Sequence, residues 1–518
     1  MIVPIVPQHF IFGVYMTSFI AILKNTVIID PVCAELRKRL IILVFLAGSV
    51  IRALPEVVAY PYPIGYDVIN YYIPVITNLE EHWSVISGQL PLYTLILYSL
   101  HSFTGLSPHF LVSSAGVILY GFFSVSLFVT SRKLLRFNEI YSAYLALFVI
   151  LQLPVLRTSW DLQKDIFALT LLLISVSLIG PLRIRIGHLR LIGSFIAASI
   201  AVFADKMVGV LFVSSLIAYA LAVRVRYITF LSLITTVLFA IAIGSQYGNI
   251  QQSLQTSNAS PSLNLANPPP EIYNPTALFA LFLVVNGPLL IPGGFGFMRS
   301  DSRFLKVVTA IAAIGSFSWL VFPDKQSLVA DRWIFLFGIF LSIFAGYGIL
   351  VYLRQKVRSR HRTAILCIIL GSCAVLGISY EIMPHPFPWF WQYTVSQSIE
   401  PYGPSTMQFN SIAIKDTSKL TSMTSWINEN TPKNALFIGE NHWRGWMELE
   451  LEDERVFKYY SNQHSALKSM KDCKSESCYL VARTSDPLEY LDVYVRTKPV
   501  YQNELFKVYQ MEDIKGGR

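Results

Sequence analysis

Charge is what this sequence has least of. Lysine, arginine, aspartate and glutamate make up 14% of its 518 residues, against roughly 25% in soluble domains. Together with a 53% hydrophobic content, that shortage excludes a water-soluble globule along the whole chain. It is uneven: residues 40–380 carry one apolar run after another, whereas 381–518 have an ordinary composition. Cysteine is scarce too. The five cysteines show no metal-ligand spacing, which excludes a zinc-ribbon type of protein. Cys473 and Cys478 form a small disulfide if their domain faces an oxidising space, and are otherwise two free thiols. The short apolar stretch 10–23 lacks the basic flank of a signal peptide. It reads as an extra span, an interfacial segment, or sequence upstream of the true start.

The charge that is present has a pattern. The net charge of +9 raises the idea of a nucleic-acid partner, but its distribution excludes one. Cations gather in short loops between apolar runs, as the positive-inside rule expects. A span needs about 20 mostly apolar residues, and about 17 can suffice. Eleven candidate spans follow: 40–54, 110–130, 140–156, 166–182, 191–204, 207–223, 227–243, 276–292, 305–322, 333–353 and 363–380. The loops holding Arg37, Lys38 and Arg39, then Arg132 and Lys133, Arg183 and Arg185, Arg224 and Arg226, Arg299 and Arg303, and Arg354 to Arg362 are basic and are placed in the cytoplasm. Alternate loops carry few cations. Residues 191–223 would make a single helix about 50 Å long, so a hairpin turning at Asp205 and Lys206 is expected. The segments 68–103 read as interfacial helices that do not cross. The polar stretch 246–275 reads as a lid.

This topology gathers acids and bases on one side: Tyr66 and Asp67, then Trp160, Asp161, Lys164 and Asp165, then Asp205 and Lys206, then Asp324, Lys325, Asp331, Arg332 and Trp333. A charge well inside a membrane helix costs roughly 2.5–3.5 kcal/mol on insertion scales, and much less at a helix end. Each pair alone therefore also fits a simple anchor at the interface. The whole set fits a site for a phosphate-linked lipid. Lys164, Lys206 and Arg332 would neutralise phosphate, a carboxylate would take a proton from a hydroxyl, and Tyr66, Tyr71, Tyr72, Trp160 and Trp333 would stack on sugar or mark the interface.

The order of features is also informative. A first span leads into a loop with Asp67 near its start, in the segment Pro63–Pro74. Gln89–Tyr93 (QLPLY) and Thr104–Pro108 (TGLSP) follow before the second span. This order resembles the GT-C class of membrane glycosyltransferases, in particular the branch with protein O-mannosyltransferases and lipid A aminoarabinose transferases. The resemblance covers most of residues 40–380. It implies a polyprenyl-phosphate-sugar donor, transfer to a glycan, lipid or protein acceptor at the outer leaflet, and a general base at Asp67. Many relatives carry two adjacent acids in this loop. Here Asp67 stands alone, the next acids being Glu80 and Glu81, so Asp161 is the candidate for a second carboxylate. The oligosaccharyltransferase motif Trp-Trp-Asp-Tyr-Gly is missing, so block transfer to asparagine is not expected, and no metal or other cofactor has sequence support.

Residues 381–518 read as a small extracytoplasmic α/β domain. Helices are expected at 419–429 and 465–470, and strands at 435–439, 478–483, 493–498 and 505–511. His442, Arg444 and Glu448 are candidates to touch an acceptor glycan, and fit ordinary surface residues as well. The expectation is a polytopic α-helical membrane protein of GT-C type with a C-terminal α/β domain. Residues 1–39 form an N-terminal segment, 40–380 the transmembrane catalytic domain and 381–518 the soluble domain. The expected activity is a hexosyltransferase type of glycosyl transfer. The competing class is a transporter or flippase of envelope lipids, which would place charge near the bilayer midplane and often show internal repeats.

Overall fold

The computed structural model describes residues 31–65, 67–79, 90–180, 187–256, 275–321, 330–382, 416–440, 443–452, 454–460, 477–484 and 498–511. Among the described residues, seven helices are long and apolar enough to cross a membrane. They are α1 (Pro31–Ala59), α4 (Pro108–Leu134), α9 (Lys206–Val223), α10 (Arg226–Thr256), α11 (Pro275–Arg299), α14 (Ala330–Lys356) and α15 (Ser359–Ile382). The other four expected spans fall on shorter or broken helices, and the reasons are local. Residues 140–156 form α5 (Glu139–Ile150) and α6 (Leu153–Asp161), bent by 64°, because Pro154 starts a new helix rather than continuing the old one. The stretch 305–322 divides at Phe317 into α12 (Arg303–Ser316) and α13 (Ser318–Val321), and α12 is only about 21 Å long. The remaining two are α7 (Gln163–Ile179) and α8 (His188–Ala204).

Between α1 and α4 lie a wide turn of helix, Val68–Tyr72, its continuation α2 (Ile73–Thr77), and α3 (Leu92–Thr104). The expected hairpin is present: α8 stops at Ala204, and Asp205 caps α9 by accepting the Val208 N–H at 2.8 Å. α10 continues to Thr256, into the stretch read as a lid. The rest of that stretch and the segment 10–23 lie outside the described residues. α14 is the central pillar. It is buried on all sides from Ile334 to Gly346, as expected for a helix that is apolar all round. At the opposite end of the bundle from Asp67, Glu139 pairs with Arg37 at 3.1 Å and Arg132 at 2.9 Å.

The C-terminal part comprises α16 (Thr417–Asn430), β1 (Leu436–Glu440), α17 (Arg444–Glu450), β2 (Val456–Tyr460), β3 (Cys478–Arg483), β4 (Tyr501–Gln502) and β5 (Phe506–Gln510). The strand order is β2-β1-β3-β5-β4. β1 runs parallel to β2 and β3, and β5 antiparallel to β3 and β4. Cys478 is disulfide-bonded, whereas Cys473 and the elements expected at 465–470 and 493–497 lie outside the described residues.

This domain rests directly on the segment that carries Asp67. The Gly445 N–H donates to Asn70 Oδ1 at 3.0 Å. A Cβ at Gly445 would meet Asn70 Oδ1 and Ile69 within 2.8 Å, so the approach needs glycine. Tyr62 packs edge to face on Trp446, with centroids 6.2 Å apart.

Candidate functional site

Asp67 is placed by the chain just before it. Gly65 has a φ of 107°, a conformation that side chains with a Cβ rarely adopt. The bend it permits brings Asp67 to the start of the Val68–Tyr72 turn. The residue is 4% exposed, and Lys164 Nζ lies 3.9 Å from its Oδ2. At that separation and an effective dielectric near 20, the attraction is roughly 4 kcal/mol before desolvation is subtracted.

Lys164 is presented by the first turn of α7, which two tyrosines hold in place. The Tyr93 hydroxyl donates to Gln163 Oε1 at 2.8 Å, and the Lys164 N–H donates to the Tyr72 hydroxyl at 3.5 Å. The two rings meet edge to face, 5.5 Å apart. Segments outside the spans thus fix the start of a membrane helix.

The end of α14 adds Asp331 and Arg332, both half-buried. Arg332 lies in the field of Asp165, Asp67, Asp205 and Asp331, with Asp165 the strongest. Asp165 is 1% exposed, with the Asp205 carboxyl as its neighbour. Lys206 faces Lys164 and Asp205. The first connecting segment, α7, the α8–α9 turn and α14 therefore bring four carboxylates and three cations into one cluster. Among the described residues no set of His, Cys, Asp or Glu side chains is arranged to hold a metal ion.

Lys164 thus lies beside Asp67 and Arg332 in its field, while Lys206 neighbours Lys164 and Asp205. Of the aromatic candidates, Tyr72 reaches the cluster through the Lys164 N–H, whereas Trp160, Trp333 and Tyr71 are engaged elsewhere. Trp160 is 1% exposed; its indole N–H donates to Glu381 Oε2 at 2.7 Å and its ring stacks on Tyr380 at 4.7 Å. It belongs to a neighbouring buried brace in which Arg52 pairs with Glu56 at 2.8 Å and donates to the Ser159 and Trp160 carbonyls. Trp333 packs on Gly315 of α12. Tyr71 faces Arg444 of the C-terminal domain. Arg444 also bonds Glu448 at 2.7 Å and lies 5.0 Å over the Tyr459 ring. Burial works against the Arg444 charge, but Glu448, with Tyr459 and Tyr71, offsets it, and the pKa lies above the ordinary arginine value. Tyr66, His442 and the Asp161 side chain lie outside the described residues.

Sequence reading did not single out Arg52, Glu56 or Glu381. A lone arginine in the apolar run of the first span was the available signal for Arg52. The nearness of Asp165 to Asp205 had none, because they sit at two helix starts far apart in the chain.

No protein-family model matches this sequence, and no curated protein matches it. The fold has solved counterparts. The crystal structure of ArnT from Cupriavidus metallidurans bound to undecaprenyl phosphate is 11% identical in sequence and superposes with a TM-score of 0.55, over 90% of this chain and 97% of that one. The same protein in the apo state gives 0.54 at 11% identity, over 89% and 97%. The chain shares the fold of these structures, and its described residues include seven helices long and apolar enough to cross a membrane.

Proposed function

We propose that this protein is a membrane glycosyltransferase that moves a sugar from a polyprenyl-phosphate donor to an acceptor hydroxyl. The observation that carries this reading is Asp67, buried and 3.9 Å from Lys164, in one cluster with Arg332 and Lys206. The ArnT structure that shares the fold holds undecaprenyl phosphate, which fits a donor of that chemical class. Residues 40–380 form the catalytic membrane domain. Residues 381–518 form a domain on the extracytoplasmic side, in keeping with the basic loops at the opposite end and with the disulfide at Cys478.

Asp67 acts as the base. The acceptor O–H gives its proton to the Asp67 carboxylate as the acceptor oxygen bonds to the anomeric carbon. The bond from that carbon to the phosphate oxygen breaks, its electrons leave with the polyprenyl phosphate, and the anomeric configuration inverts. Lys164, Lys206 and Arg332 stabilise the phosphate as its charge grows. Such preorganised charge is worth more in a site shielded from water than in solution. The acceptor approaches past Tyr71 and Arg444, where the C-terminal domain meets the Asp67 segment.

The test is a transfer assay on purified protein with a panel of polyprenyl-phosphate sugars. Asp67→Asn should lower transfer by about 10²–10⁴-fold and leave donor binding in place. Undiminished transfer by that variant would remove Asp67 from the base role.

A further inference from the structure

The end of α9 and the start of α10 are joined by two residues, Arg224 and Val225. This link lies at the far end of α9 from Asp205 and Lys206, about 27 Å along the helix axis, and is remote from the Asp67 cluster. Arg224 closes α9 with a φ of 55°, its N–H donating to Ala220 O at 2.8 Å. Left-handed backbone is uncommon for a residue with a Cβ, and glycine or asparagine would close the helix with less strain. An arginine there points to a use for its side chain.

Between the two helices at this end is an open groove of about 630 Å³. Arg224, Arg226 and Thr229 line its polar part, and Leu221, Phe230 and Leu233 its apolar part. All six are exposed. The Thr229 hydroxyl donates back to Val225 O at 3.3 Å, so the donors left for a ligand are the two guanidiniums. From the groove two apolar stripes run back along the bundle. Leu221, Ile217 and Val210 are exposed on α9, and Phe230, Leu233, Val237 and Ile241 on α10. Spacings of three, four and seven put each set on one helix face. Each stripe is about 16 Å long, close to half of a hydrocarbon core roughly 30 Å thick. That is the reach of one acyl chain in one leaflet.

We propose that this groove holds one anionic phospholipid of the surrounding bilayer, its phosphate between Arg224 and Arg226 and its two acyl chains along the stripes of α9 and α10. A guanidinium matches a phosphodiester with two parallel N–H bonds. Basic clefts between spans suit such head groups. A zwitterionic lipid carries the same phosphate, but its ammonium lies against the second guanidinium, so charge favours a head group without a cation. Exposed apolar faces alone meet bulk lipid and select no head group; the two arginines supply the selection. The proposal needs only that the helices lie in a membrane, and does not depend on the transfer reaction.

The test is native mass spectrometry of the full-length protein in detergent, with phosphatidylglycerol and phosphatidylcholine of matched chains as probes. Wild type should hold one phosphatidylglycerol, about tenfold or more tightly than phosphatidylcholine. The double variant Arg224→Gln with Arg226→Gln should lose that preference. Arg358→Gln with Arg360→Gln removes the same charge from exposed positions at the join of α14 and α15, and should keep it. Equal retention of the two lipids by wild type would overturn the proposal, and that comparison needs no variant. So would a preference that persists in the Arg224 and Arg226 double variant, or that both double variants lose alike. A wild type that flies as a lipid-free pair of chains would overturn it too, because a second copy would then cover the groove.

Discussion

Two groups of buried charge lie side by side in the helix bundle, built for different ends. In the brace, Arg52 has Glu56 at 2.8 Å and two backbone carbonyls, Ser113 donates to Glu56 at 2.9 Å, and Trp160 donates to Glu381. Its partners come from α1, α4, α6 and α15, all fixed by packing. The Asp67 cluster instead sits where the helices begin, gathers cations that face one another, Lys164 and Lys206, and sets the Asp165 and Asp205 carboxyls near each other. Like charges brought together cost stability unless something further is bound. The first arrangement holds the fold; the second suits an anionic ligand. The brace also serves the site, because Arg52 fixes the chain at Ser159 and Trp160 a few residues before Lys164.

This contrast can be broken by substitutions on either side of it. The largest expected effect is Asp67→Asn, with the loss of transfer given above and an unchanged Tm. Next is Arg52→Ala, which leaves the half-buried Glu56 without its cation and the Ser159 and Trp160 carbonyls without their donor. It should destabilise by about 3–5 kcal/mol, seen as a large drop in the thermal midpoint in detergent. If Arg52→Ala melts like wild type while only transfer falls, the brace belongs to the site after all. Trp160→Phe keeps the ring but removes the donor to Glu381. It should cost about 1–3 kcal/mol of stability with little change in donor affinity; a selective rise in KM for the donor would return Trp160 to the sugar-binding role expected for it. Gly445→Ala introduces a clash with Asn70 and Ile69 costing about 1–3 kcal/mol. It falls mainly on the docking of the C-terminal domain, so limited proteolysis should release that domain faster while the membrane part stays intact.

How much of this was legible in the sequence depends on the range of each interaction. Apolar runs separated by basic loops mark the membrane helices, because burial and charge placement are local properties of the chain. Asp205 and Lys206 mark the hairpin for the same reason, since nothing else interrupts that apolar stretch. Pro154 carried a signal for the bend between α5 and α6 that the hydropathy of the run concealed. The nearness of Lys164 and Arg332 to Asp67 could be expected once topology put the helix ends on one side. Side-chain direction was not. Trp160 and Lys164 lie less than two turns apart, yet one packs against α15 and the other faces Asp67. The docking of Gly445 on Asn70 is likewise a contact between segments far apart in the chain, and neither α17 nor β2 was expected in that region.

The central claim is that Asp67 and the three cations form a single site for a lipid phosphate. Its most direct test is the dissociation constant of polyprenyl phosphate for wild type and Arg332→Gln, read with the thermal midpoint of each. Arg332→Gln should weaken binding by at least about tenfold, as expected for loss of a charge-assisted contact worth about 1.5–3 kcal/mol, with the midpoint nearly unchanged. Equal affinity in the two proteins, with a midpoint that falls, would make Arg332 a structural charge and contradict it.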